Sequence, residues 1–152
     1  MELQKSLITA LEEILDKMAF MVFETGSVDK LESPAPYGYT SQIAFKGSIT
    51  GTLNLYFTLS TAEAIARNLM GLRDGDELFK GTVEDALGEF ANILMGRALS
   101  LMDPDKAFDL NLPQTRMGDL PATGAGSQTL NVEGVLDDAE PCRIIVKYQA
   151  AA

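Results

Sequence analysis

Residues 82–101, TVEDALGEFANILMGRALSL, constrain this chain more than any other stretch. Val83, Ala86, Leu87, Phe90, Leu94, Ala98 and Leu101 recur at spacings of three and four, the pattern of a helix with one buried face. On the other side, Asp85, Glu89, Asn92 and Gly96 follow at steps of four, three and four and form a second stripe. That stripe holds two carboxylates and a carboxamide without interspersed lysines. Gly88 and Gly96 accompany it, although a glycine inside a helix costs roughly 1 kcal/mol relative to alanine. The pattern predicts a core helix whose exposed face admits a close neighbour.

A chain of 152 residues with 46% apolar and 22% charged side chains suits one soluble globular domain, residues 1–152. The first 23 residues carry charges throughout and resemble neither a signal peptide nor a membrane span, so the expected location is the cytoplasm. A net charge of −10 offers no basic patch for nucleic acid and disfavours anionic membranes. With no histidine and the single Cys142, the usual zinc sites and the Ser-His and Cys-His nucleophile pairs are excluded, and no metal site of its own is expected. Cys142, inside a strand-like run, reads as a small buried hydrophobe.

Residues 2–23 read as an amphipathic helix with Leu3, Leu7, Leu11, Ile14, Leu15, Met18 and Val22 buried and Gly26 as its stop. Residues 32–39 read as an extended connection. Residues 40–45 and 50–58 make a strand hairpin across Lys46-Gly47-Ser48. Ser60-Thr61-Ala62-Glu63 has the form of a capping box opening a short helix, and Arg73-Asp74-Gly75-Asp76 reads as a turn. Thr82 is the expected cap of the organising helix, which ends before Asp103-Pro104. Residues 108–112 form a short strand, residues 117–126 a loose glycine-rich passage, and residues 128–135 and 142–148 the last two strands around a turn at residues 137–141.

Residues 10–16, ALEEILD, align with residues 86–92, ALGEFAN, at an offset of 76 residues, half the chain. A long helix followed by a strand hairpin occurs in each half. The predicted fold is therefore α/β: a duplicated helix-plus-strands unit with two long helices on one face of a mainly antiparallel or mixed sheet.

Asp85, Glu89 and Asn92 admit three readings: a solvated helix face, a pair of carboxylates for acid–base chemistry, or side chains delivered into another protein's active site. The second is poor, because an exposed convex surface has no cleft to drive two carboxyl pKa values apart. In the third, Asn92 orients a water and Glu89 anchors a cation.

Asp85-x3-Glu89-x2-Asn92, followed by Phe108-Asp109-Leu110-Asn111-Leu112-Pro113 and Gly118, resembles the signature of the CheC, CheX and FliY phosphatases of bacterial chemotaxis. CheC-like members carry two such signatures and CheX-like members one, on the second long helix. Here the first helix offers Thr9, Glu13 and Asp16, and Asp16 lacks the amide donor of an asparagine, so the chain is most like CheX.

The resemblance implies a phosphatase acting on the phosphoaspartate of a CheY-like response regulator. Glu89 and Asn92 would be its catalytic residues, and Asp85, Gly88, Met95, Gly96 and Pro113 would meet the partner. It implies no cofactor beyond the Mg2+ that the receiver domain supplies. It also implies a homodimer formed through strands, for which the apolar run at residues 144–148 is the candidate edge. The rival readings are a non-catalytic adaptor for a phosphorylated receiver and a flagellar switch component. A small-molecule binding protein has no pocket signature in the sequence.

Overall fold

The computed structural model describes residues 1–151. Its elements are α1 (Leu3–Ala19), β1 (Phe23–Thr25), β2 (Tyr37–Lys46), β3 (Ile49–Thr58), α2 (Leu59–Met70), α3 (Lys80–Met102), β4 (Asp109–Leu110), β5 (Gln114–Met117), β6 (Gln128–Leu136) and β7 (Glu140–Ala150). A single 3-10 turn, Val28–Lys30, follows β1.

The sheet runs β1-β6-β7-β3-β2, with β4 and β5 sharing the far edge of β2, and every pairing is antiparallel. The three helices cover one face. Alternation along the strands sends Ile43, Phe45, Leu53, Leu55, Phe57, Ile144 and Val146 under them, all essentially without solvent contact. Phe57 meets Phe90 of α3 edge to face, with ring centroids 5.5 Å apart. The β2-β3 and β6-β7 hairpins join along β3 and β7, and α1 and α3 pack side by side above them, as a duplicated unit requires.

Several local boundaries differ from the sequence expectation. α1 stops at Ala19, because Phe20 adopts a left-handed conformation (φ 56°) and the N–H of Met21 donates to the Leu15 carbonyl at 3.0 Å. The chain then turns into β1, so Val22 is 60% exposed and not part of the core stripe. α2 is capped by Thr58, the last residue of β3, whose Oγ1 accepts from the Thr61 N–H at 3.2 Å; Ser60 already lies inside the helix. α3 begins at Lys80, before Thr82, and has no side-chain cap. Glu140 and Pro141 belong to β7, leaving Asp137, Asp138 and Ala139 to make the turn, the two aspartates at positive φ.

Two larger corrections bear on function. β7 lies between β6 and β3, so residues 144–148 spend their hydrogen-bonding capacity inside the sheet and offer no free edge. Residues 118–126 are tied across the outer face of the sheet. The Tyr56 hydroxyl donates to the Leu120 carbonyl at 2.8 Å, the Leu120 N–H donates to Thr40 Oγ1 at 3.1 Å, and Lys147 Nζ donates to the Ala122 carbonyl at 3.3 Å.

A candidate active site on α3

The apolar side of α3 is spent on the core: Val83, Ala86, Leu87, Phe90, Leu94 and Ala98 are buried. The same periodicity leaves Asp85, Glu89 and Asn92 exposed along one line of the helix. Facing them is the segment that links β4 to β5. It is held at the sheet edge by Asn111, whose side-chain oxygen accepts from the Ala44 N–H at 2.7 Å while its own N–H donates to the Ala44 carbonyl at 3.0 Å. Thr115 adds a 2.7 Å hydroxyl contact with Ser41 of β2.

Gly88 explains how this segment can lie against the helix. A Cβ there would stand 3.3 Å from Pro113 Cγ and 3.7 Å from Thr115 Oγ1, so the glycine seats the proline. Gly88 also lines the cleft that this contact borders. Gly96 is half-buried, and a Cβ on it would meet only Leu110 Cδ1, at 3.9 Å. Neither glycine serves contact between the two long helices.

Between α3 and residues 110–115 lies an open cleft of about 650 Å3. Glu84, Asp85, Glu89 and Asn92 form its polar wall, and Leu110, Leu112 and Pro113 form the other. No cation lines it. Leu112 is 87% exposed at the rim, and no signal in the sequence marked it apart from its place before Pro113. Met95, expected to touch a partner, is instead fully buried in the core, because it falls on the inner side of the helix next to Leu94. Met117 on β5 is half exposed.

The related stripe on α1 is differently occupied. Arg97 of α3 donates through Nε to a Glu13 carboxylate oxygen at 3.0 Å, and this hydrogen bond holds the Glu13 carboxyl below the usual carboxylate range. Asp16 is exposed beside it. Cys142 is fully buried, and burial pushes its thiol pKa up, which removes it as a nucleophile.

Fold and stripe together define a domain that presents polar side chains of α3 in an open cleft against the sheet edge. The family model described as "Chemotaxis phosphatase CheX" matches residues 39–131, more than half of the chain, and the chain belongs to that family. Solved structures agree in fold. CheX from Desulfovibrio desulfuricans is 19% identical, with 97% of this chain and 99% of that one covered and a TM-score of 0.76. CheX from Vibrio vulnificus is 20% identical, with 97% of each chain covered and a TM-score of 0.77. CheX in the CheX–CheY–BeF3–Mg2+ complex from Borrelia burgdorferi is 22% identical, with 97% of this chain and 98% of that one covered and a TM-score of 0.73. A search of curated proteins finds no match. No helix among the described residues is long and apolar enough to cross a membrane.

Proposed function

We propose that this protein hydrolyses the phosphoaspartate of a CheY-like response regulator, and that Asn92 and Glu89 enter the receiver's active site to do so. The observation that carries this reading is the exposure of both side chains, one turn apart, in a cleft whose described lining has carboxylates, amides and a hydroxyl but no Lys or Arg. Such a site has nothing of its own to offset the charge of a phosphoryl group. It can complete a centre that another protein has already built.

The chemistry follows from what an acyl phosphate needs. A water oxygen attacks phosphorus in line, the phosphorus–oxygen bond to the receiver's aspartate breaks, and the aspartate leaves as a carboxylate. The water's protons pass to the departing phosphate and solvent. Positioning is most of the catalytic task. The Asn92 carboxamide both accepts from and donates to that water without adding negative charge near the phosphoryl group. Glu89 pairs with the receiver's lysine and fixes the register, while Asp85 meets the rim. The divalent ion belongs to the receiver, where it offsets phosphoryl charge. The Borrelia burgdorferi relative, in a complex with CheY, BeF3 and Mg2+, supports this choice of partner.

Within this reading the protein works in the cytoplasm, where receivers reside, and as a homodimer. The long inner strand β7 is unavailable, so a sheet-mediated dimer would use the edges at β1 or at β4 and β5. The test is to follow decay of a phosphorylated receiver with and without the protein at equal Mg2+. Faster decay with the protein supports a phosphatase. Stable binding with unchanged decay identifies an adaptor and overturns the proposal.

A further inference from the structure

Gly88 and Gly96 both interrupt the interior of α3, and only one of them is used within the chain. A Cβ on Gly88 would press on Pro113 at 3.3 Å, so close packing accounts for that glycine. Gly96 is different. It lies well inside the helix, outside the left-handed region that favours glycine, and a Cβ on it would meet nothing nearer than Leu110 Cδ1 at 3.9 Å, an ordinary van der Waals distance. Alanine fits there without strain and is the better helix former. Among the described residues, no packing returns the helix stability that glycine gives up at this position.

Gly96 follows Asn92 by four residues, so it lies on the same side of α3, about 6 Å further along the axis. It is half-buried, and Leu110 beside it belongs to the apolar wall that continues through Leu112 and Pro113. An ordinary side chain would rise from the helix at this turn. Glycine instead leaves a low shelf of bare main chain next to the side chain that has to reach into a partner.

We propose, on the reading that a receiver is the partner, that Gly96 is where the receiver's main chain rests on α3, and so acts as a positioning residue for the reaction. The shape of a CheY-like domain suits such a shelf. In a doubly wound α/β sheet the ligand site lies outside the carboxyl ends of the strands, in a crevice walled by loops. Asparagine has a short side chain, so the Asn92 carboxamide reaches a phosphoryl group set among loops only where one of them comes down close to the helix backbone. A methyl group at residue 96 would hold that loop off.

The test pairs stability with affinity in the full-length protein. Gly96→Ala and Gly96→Leu are compared with the native protein for urea midpoint and for affinity towards a CheY-like receiver held with BeF3 and Mg2+, the set present in the Borrelia burgdorferi complex. The expected result is a higher urea midpoint for Gly96→Ala together with weaker binding, and binding weakened about tenfold or more for Gly96→Leu. A folding defect does not give that combination, because it lowers the midpoint. Native-like affinity in both variants overturns the proposal and leaves the receiver as partner. A lowered midpoint for Gly96→Ala overturns it too, since the domain itself would then need the glycine. A native protein that neither binds the receiver nor speeds its loss of phosphate rejects the receiver as partner, and the role of Gly96 with it.

Discussion

Gly88 of α3 lies beneath Pro113, and a methyl group on it would come within 3.3 Å of the proline ring. One residue therefore sets how closely the cleft's apolar rim approaches the helix that carries Glu89 and Asn92. Alanine at this position gains helix propensity of about 1 kcal/mol. It also pushes Pro113 outward by a few tenths of an ångström, against the Asn111 and Thr115 anchors. Gly88→Ala should leave stability within about 1 kcal/mol of the native protein, because the two effects oppose each other. Receiver dephosphorylation should nevertheless fall. Paired urea denaturation and phosphatase assays would check the split.

The core beneath α3 is expected to be far less tolerant. Phe90 is fully buried against Phe57, so Phe90→Ala removes both apolar area and the edge-to-face contact. A loss of about 3–5 kcal/mol is expected, measured from the denaturation midpoint at unchanged slope.

Phe20 ends α1 in a left-handed conformation with its ring 76% exposed. A non-glycine residue pays a steric cost there, and little packing is lost on its removal. Phe20→Gly should raise stability by about 1 kcal/mol, seen as a higher urea midpoint. A lower midpoint would mean that the exposed ring packs against the chain after all.

The Glu13–Arg97 pair ties α1 to α3, and its acid response has a definite sign. Arg97 lowers the Glu13 pKa in the folded protein below its ordinary value of 4.5, so the pair's contribution is complete above that pH. It disappears as pH falls further, through the folded-state pKa. NMR titration of the Glu13 side-chain carboxyl should show the lowered midpoint in the native protein and its return towards 4.5 in Arg97→Ala. Both side chains are partly exposed, so salt should weaken the effect. Occupied in this way, Glu13 is not free to anchor a receiver. Asp16→Asn alone should therefore create no second active stripe.

The elements most legible in the sequence are those in which one periodicity settles burial. Val83 to Ala98 specify the inner side of α3; in β3, Leu53, Leu55 and Phe57 face the helices, but Asn54 and Tyr56 between them are buried as well, which alternation does not foretell. The exposed line of Asp85, Glu89 and Asn92 followed from the same helix. Features that depend on distant partners were not legible. β5, Gln-Thr-Arg-Met, has no strand-like alternation of its own and exists because Ser41 and Thr40 of β2 hold it and its continuation. Gly88 could be seen to be unusual, but its neighbour, Pro113, lies 25 residues away. Met95 shows the opposite failure: a methionine beside a polar stripe looked like a contact residue, yet helix geometry turns it into the core.

The central claim is that Asn92 orients the attacking water and contributes little to docking. The direct measurement is the rate of phosphoryl loss from a phosphorylated receiver saturated with native protein or Asn92→Ala, beside the affinity of each for the receiver. The expected outcome is a fall in rate of about 100-fold with affinity nearly unchanged. Native-like decay by Asn92→Ala at saturation would contradict the account.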